Sequence, residues 1–472
     1  MKKREIDTTP FDTKRIPPKQ NLFFMPFIWL LCWITTKRNG LKIKKVNMEG
    51  LKPPFLVLGT HHSFTDFYVT PLALMPYRAN YVSELEGFEA FGETLYRQVG
   101  CLGTRKFIND IDLVRNIKRC MDRKGILVLY PEARYANVGT VSKLPISVGK
   151  LVKMLKVPVV VLNMKGNYLL SPIWNLEKRK NVKLSATMTQ VLTKEQILES
   201  SPEEILSVVE EHLYYDEYAW QEEQGIKIKN KDRAKGLHLP LYQCPICKQE
   251  FAMDSQGTKL FCKACKSQWE KDELSRLCFE RISNFENKKF SKNADATRPS
   301  NKQLQKAVDK RLENNQSEEL QLDNHPVYDV QTQDLQLPVH KKEDNTSYYK
   351  ITEWYEWQRE QVQREIDEGN YLLDCKVQIE ALPNAVNFID LGEGRLVHKK
   401  EGFYLTFRDY GEKEEKTMFF PSKNMVSIHT EYDYRGKGQC VTLSTTTNTY
   451  FLFPRSEGFN ATKIQFATEY LS

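Results

Sequence analysis

Histidine is scarce in this chain, with eight among 472 residues, so the adjacent pair His61 and His62 invites a question about chemistry. Long apolar runs are missing as well. The N-terminal stretch Leu22 to Ile34, LFFMPFIWLLCWI, has 13 uncharged residues and Pro26 inside it. As a helix it would reach about 20 Å, short of the roughly 30 Å hydrocarbon core, so it is not expected to span a bilayer. No small-residue cleavage site follows it, which argues against a secretory signal peptide. A disulfide framework is absent too: of ten cysteines, four sit in two C-x-x-C pairs and Cys32, Cys101, Cys120, Cys278, Cys375 and Cys440 are scattered. That usage suits a reducing compartment with one metal site.

What the N-terminus does carry is positive charge. Residues 1–52 hold twelve Lys/Arg against four acids, within a chain of net charge +8. Basic flanks around an apolar run containing Trp29 and Trp33 describe a segment that lies in the interface of an anionic membrane, with a buried core helix as the plainer alternative. The expected location is peripheral or monotopic, on the cytoplasmic face of a membrane.

The length calls for two or three domains. From Phe55 to Met188, β-rich runs (Phe55 to Gly59, Gly125 to Tyr130, Val157 to Asn163, Val182 to Met188) alternate with helical patterns. The predicted fold there is α/β, a largely buried sheet flanked by helices. Ile111, Val114, Ile117 and Met121 form a helical stripe, read as core packing, and Pro202 to Gln221 reads as one helix. The Cys pairs follow within residues 239–282. Residues 283–348 are polar and read as a flexible linker. Residues 349–472 open with a helix bearing Trp354, Trp357, Val362 and Ile366 on one face, then switch to short strands and a closing helix. An antiparallel sandwich or small barrel is expected, mainly β and similar in shape to the pleckstrin-homology fold. The expected domains are therefore 1–50 (membrane docking), 51–238 (α/β), 239–282 (metal module), 283–348 (linker) and 349–472 (helix plus β).

His61 and Asp66 are five residues apart. In one continuous helix that offset rotates about 500°, leaving the side chains about 140° apart. If the strand ends at Gly59, His61 lies in a turn and Ser63 caps a helix whose first turn holds Asp66, the two can meet; Ser63-Phe64-Thr65-Asp66 has the S-x-x-D form of a capping box. A carboxylate beside an imidazole fixes its tautomer and leaves the other nitrogen to take a proton from a hydroxyl. A mere capped turn stays open on this hexapeptide alone.

THHSFTD, with His61-x4-Asp66, resembles the first signature of the glycerolipid acyltransferase family, the 1-acylglycerol-3-phosphate acyltransferases and their relatives. Three further segments follow in that family's order: GCLGTRKF (Gly100 to Phe107), LYPEARY (Leu129 to Tyr135) and VPVVVL (Val157 to Leu162). The resemblance covers residues 20–230 and implies an acyltransferase-type sheet flanked by helices. It implies that His61 is the general base on an acceptor hydroxyl and that Asp66 orients it. The acyl donor would be acyl-CoA or acyl carrier protein. Arg105, Lys106, Glu132 and Arg134 would hold the head group of a lysophospholipid such as 1-acylglycerol-3-phosphate, with Glu132 better suited to a hydroxyl or an arginine than to phosphate. Two departures fall on the head-group side. The usual third signature, F-P-E-G-T-R, has two residues between Glu and Arg where this chain has Ala133 alone. In the second signature the basic residue six after the glycine is Lys106, and Arg105 comes one earlier.

CPICKQEFAMDSQGTKLFCKAC places 14 residues between two C-x2-C knuckles. Four thiolates make a closed tetrahedral site for structural zinc, so Cys244, Cys247, Cys262 and Cys265 are the expected ligands of a zinc ribbon, packed by Phe251, Phe261 and Trp269. The ribbon or the C-terminal domain could recruit a protein partner. Nucleic acid is not expected, because residues 244–275 mix Lys with Asp and Glu and form no basic stripe. The competing reading is a nonenzymatic, membrane-associated adaptor built on the ribbon and β domain; an intact His61 and Asp66 weigh against it.

Overall fold

The structure is a computed structural model that describes residues 7–279 and 336–472. The first sheet contains β1 (Lys42–Val46), β2 (Phe55–Gly59), β3 (Asn80–Glu84), β4 (Cys101–Thr104), β5 (Ile126–Leu129), β6 (Val159–Lys165) and β7 (Ser185–Leu192). Their order is β1-β7-β6-β2-β5-β3-β4, and every pair is parallel except β6 with β7. Its helices are α1 (Met25–Lys37), α2 (Asp66–Leu74), α3 (Leu85–Phe91), α4 (Glu93–Gln98), α5 (Ile111–Asp122), α6 (Ile146–Leu155), α7 (Asn167–Leu170), α8 (Lys194–Glu199), α9 (Pro202–Leu213) and α10 (Glu217–Glu223). Strand alternation divides β2 between two cores. Leu56 and Leu58 meet α5, α6, α8 and α9, whereas Phe55 and Val57 meet α2 and α3. A parallel-rich α/β sheet with helices on both faces agrees with the expectation.

Three local expectations change. The segment expected to dock at a membrane ends inside the α/β unit, because β1 pairs with β7 as an edge strand; its sequence KIKKV exposes lysines where an edge allows them. Pro202 to Gln221 is two helices, since Tyr214 leaves helical geometry and Asp216 caps α10 by accepting from Tyr218 and Ala219 N–H. In the stripe on α5, Ile117 and Met121 are buried, but Ile111 and Val114 are exposed and with Ile117 line a cavity.

The ribbon sheet comprises β8 (Met253–Gln256), β9 (Lys259–Cys262), β10 (Gln268–Lys271), β11 (Leu277–Phe279), β12 (His340–Lys341) and β13 (Ser347–Tyr349). Residues 283–335 of the expected linker lie outside the described residues. Its last part is no linker: β13 pairs with β11, burying Tyr348 and Tyr349 and thereby offsetting the cost of ordering.

The C-terminal sheet comprises β14 (Leu373–Ala381), β15 (Ile389–Lys399), β16 (Gly402–Arg408), β17 (Glu415–Pro421), β18 (His429–Glu431), β19 (Cys440–Ser444) and β20 (Thr449–Pro454). Its strands join in one antiparallel sheet in the order β17-β16-β15-β14-β20-β19-β18, in line with the antiparallel, mainly β domain expected. The helix Ile351–Asp367 precedes it and the helix Ala461–Leu471 closes the chain. Trp354, Trp357 and Val362 are buried as their spacing requires. Ribbon and β domain share one core, a continuous cluster that includes Cys244, Trp269, Trp354, Val377 and Phe403.

Candidate active site

The chain turns sharply where β2 ends. A Cβ at Gly59 would lie 2.8 Å from the Tyr130 ring, so only glycine lets the strand pass that close. His61 follows in the turn, and α2 starts at Asp66. His61 Nδ1 lies 3.1 Å from Asp66 Oδ2. The same oxygen accepts from His62 N–H at 2.7 Å and Ser63 N–H at 3.1 Å, while Oδ1 accepts from Asn167 Nδ2 at 2.6 Å. Four donors hold a carboxylate that is wholly buried. The capping arrangement differs from expectation: Asp66 closes back on Ser63, but the Ser63 hydroxyl accepts from Thr65 N–H and donates to Asn167 O instead of capping residue 66.

The His61 ring stacks on Tyr130 with centroids 4.4 Å apart and planes at 17°, and Tyr135 lies 4.4 Å away on a tilt. With Nδ1–H directed at Asp66, Nε2 is the basic nitrogen, and it makes no protein hydrogen bond among the described residues. His62 is different. It is fully buried, neither ring nitrogen has a hydrogen-bond partner, and burial pushes it down to about 4, so it packs as a neutral ring against Tyr215.

His61 lines a cavity of about 800 Å³. Its lining includes aliphatic side chains (Val82, Val114, Ile117, Leu129, Val148 and Leu151), aromatic ones (Phe64, Phe67, Phe91 and Tyr96) and polar ones (Glu84, Glu86, Arg105 and Lys106). Phe64 and Phe91 are also exposed to solvent, which marks an opening beside α2.

Of the four residues expected at a head group, Arg105 and Lys106 line this cavity and Glu132 and Arg134 do not. All four have protein partners. Arg105 donates to the carbonyls of Leu382, Pro383 and Thr447 and to Thr449 Oγ1 at 2.6–3.1 Å. Lys106 pairs with Glu84 and lies 3.1 Å from His429 Nδ1. Glu132 accepts from His61 N–H at 3.3 Å, Ser142 N–H at 2.9 Å and Tyr215 O–H at 3.1 Å; burial pushes its carboxyl up to about 7 despite these donors. It thus ties the His61 backbone to the loop after β5. Arg134 pairs with Glu469 at 2.7 Å and donates to Ser142 Oγ and Ser427 Oγ. Between them Ala133 adopts left-handed backbone, φ 55°, so a single residue completes the turn that glycine would make without strain.

Sequence reasoning passed over Asn167, which nothing in its neighbourhood distinguishes. It also passed over Phe388, Tyr434 and Arg435, which reach the same cavity from the C-terminal domain.

The four ribbon cysteines converge, with their sulfurs all within 4.8 Å of one another. Cys244 and Cys265 Sγ are 3.7 Å apart, as are Cys247 and Cys262 Sγ. A disulfide needs about 2.0 Å, whereas four sulfurs about 2.3 Å from a tetrahedral zinc stand about 3.8 Å apart. The donor set therefore fits zinc. Lys248 and Lys266, each directly after a knuckle, take left-handed φ of 61° and 64°, which folds both turns around one centre.

No protein-family model matches the chain, and no curated protein matches it. Among solved structures it is similar to the 1-acyl-sn-glycerophosphate (LPA) acyltransferase PlsC from Thermotoga maritima, at 16% identity and a TM-score of 0.34 over 43% of this chain and 79% of that one. Among the described residues no helix is long and apolar enough to cross a membrane.

Proposed function

We propose that the chain is an O-acyltransferase that moves a fatty acyl group from acyl-CoA or acyl carrier protein to the hydroxyl of a lysophospholipid-type acceptor, in phospholipid synthesis or remodelling. The observation that carries this reading is the His61–Asp66 contact at 3.1 Å on the wall of a largely apolar cavity. Nε2 of His61 takes the proton of the acceptor hydroxyl as its oxygen attacks the thioester carbonyl. Asp66 stabilises the imidazolium that forms. The tetrahedral intermediate collapses to the ester and expels the thiolate, which recovers the proton from His61. The aliphatic side chains that α5 and α6 contribute to the lining suit an acyl chain, since apolar walls favour burying methylenes. Zinc, held by Cys244, Cys247, Cys262 and Cys265, has a structural role, because four thiolates leave no open position.

The site works at a membrane surface on this reading. On α1, Phe27, Leu30, Leu31, Trp33 and Ile34 are exposed, next to exposed Lys37, Arg38, Lys42, Lys44 and Lys45. Helix α1 packs on α2, with Cys32 Sγ 4.0 Å from the backbone of Phe67, a residue that lines the cavity.

The test supplies labelled acyl donors and a panel of lysolipids to the purified protein and to His61→Ala. Ester formation by the wild type alone is expected. Turnover no greater than that of the variant would reject an enzyme and leave the adaptor reading.

A further inference from the structure

The two signature arginines hold the domains together, which raises the question of which cation remains to receive an anionic head group. Arg105 and Arg134 are both nearly inaccessible, at 5% and 3%; their Nη donors go to carbonyls, hydroxyls and Glu469, and the Nε of each is buried without a partner, out of a ligand's reach. Lys106 faces the cavity but is paired with Glu84. Arg435 is placed differently. It lines the cavity wall, its side chain is 40% exposed, and its guanidinium lies over the Phe388 ring at 3.9 Å. Among the described residues only Nη1 is engaged, 3.0 Å from Glu380 Oε2, which leaves the Nε and Nη2 edge to donate.

Glu380 is shared. Its other oxygen contacts Lys437, so two cations share one carboxylate. The backbone at Arg435 is left-handed, φ 55° and ψ 30°, in the turn Asp433-Tyr434-Arg435-Gly436. A glycine would adopt that conformation without a Cβ penalty, and strain retained at a cavity wall points to a use for the side chain. Tyr434 lines the same wall. Glu86, also on the wall, has its carboxyl pushed up by burial and by the neighbouring Glu84, which weakens its repulsion of an anion.

The geometry points to Arg435 as the residue that grips the acceptor's phosphate, a specificity-determining cation brought to the acyl-transfer cavity by the C-terminal β domain. The assignment rests on acyl transfer at His61. Its physical basis is the planar guanidinium fork, pre-oriented by stacking on Phe388 and incompletely neutralised by Glu380.

The experiment uses the full chain with acyl-CoA as donor and compares 1-acylglycerol-3-phosphate with monoacylglycerol as acceptor. The readout is the ratio of kcat/KM for the two acceptors. Arg435→Ala is expected to lower that ratio about 10- to 100-fold, the value of a charge-assisted hydrogen bond, and Arg435→Lys to restore part of it. Glu380→Gln, which leaves both cations without their carboxylate, is expected to raise it. Thermal melting checks that each variant folds. An unchanged ratio in Arg435→Ala overturns the assignment. So does a rise in the KM of acyl-CoA with no change in the ratio, which would put Arg435 on the donor's phosphates. Calorimetric binding of both lysolipids to His61→Ala protein reads the same preference without turnover. Absence of turnover in the wild type rejects acyl transfer, while equal effects of Arg435→Ala on binding of the two lipids reject the role of Arg435.

Discussion

Arg134, five residues beyond the end of β5, and Glu469, in the C-terminal helix, form an ion pair at 2.7 Å with both side chains largely shielded from water. Burial alone would raise the Glu469 carboxyl, but Arg134 and Arg359 outweigh it and hold it down at about 2. A depressed carboxyl contributes stability above its unfolded value of 4.5, and that contribution is lost as pH falls toward 2. Arg134→Met leaves Glu469 with Arg359 as its one cation among the described residues, beside the donors Ser427 and Gln465. Breaking a buried pair from one side costs about 3 kcal/mol or more. The expected outcome is a clear drop in the denaturant midpoint, together with reduced turnover, because residues 132–137 connect His61 to the C-terminal domain. A midpoint equal to that of the wild type would show that the pair does not couple the domains.

Zinc removal should disturb more than the ribbon. The cluster containing Cys244 and Cys262 runs without a break through Trp269 and Trp354 to Val377 and Phe403, and the Trp354 indole donates to Gln243 O at 2.9 Å. Structural zinc in such sites contributes folding energy directly. Elemental analysis is expected to give one zinc per chain, and Cys262→Ser or a strong chelator to lower the melting temperature of the whole C-terminal half. A chain that binds no zinc when purified in its presence would contradict the ligand set.

How far the sequence could be read follows from the range of the contacts involved. The knuckles are two short turns whose local spacing sufficed, whereas the five-residue contact of His61 with Asp66 was only allowed by its spacing and needed the three later segments to favour it. The parallel-rich sheet was readable because β2, β5 and β6 are continuous apolar runs. Arg105 was not readable in the same way: its partners lie 277 to 344 positions away, and no local pattern distinguishes an arginine that meets carbonyls from one that meets phosphate. Arg435 and Phe388 reach the cavity across the same interface. The β1 edge strand was missed because an edge tolerates lysines, and β12 and β13 because two short strands carry too few apolar residues to stand out from a polar tract.

Stability should fall as pH rises from about 6.5 to 8. Burial pushes Glu132 up to about 7 and Glu86, Glu217 and Glu431 up to about 8. A carboxyl with a raised pKa binds a proton in the folded state that the unfolded chain has released, so its contribution is lost as pH climbs from 4.5 through the folded value. Buried His62 works in the opposite direction, but only below its unfolded value near 6.5. Above that the carboxyls act with a limiting slope of about 1.4 kcal/mol per pH unit each, and four of them outnumber Lys271, which burial holds well below its usual value and which acts in the opposite sense. Denaturant melts of the zinc-loaded protein at pH 6.5 and 8 are expected to show the decline, and Glu132→Gln to flatten part of it. A stability that rises over this window would contradict the burial of these carboxyls.

Membrane affinity should depend on two separable features of the N-terminal helix. Trp33 and Ile34 expose about half their surface, 49% and 56%, on a helix otherwise anchored through Met25, Cys32 and Thr36. Replacing exposed residues leaves that packing intact, so Trp33→Glu and Ile34→Glu test the apolar face without unfolding it. Each buried apolar side chain contributes about 1.5–3 kcal/mol on leaving water, so each variant is expected to weaken vesicle binding by tenfold or more. Lys42→Glu and Lys44→Glu, on an exposed edge strand, act through charge. Their loss should appear only with anionic lipid and shrink as salt screens it, at about 1 kcal/mol per basic residue near the surface. Sedimentation with phosphatidylcholine vesicles, with and without anionic lipid, separates the two contributions. Binding that none of the four substitutions reduces would mean that α1 and β1 do not face the bilayer.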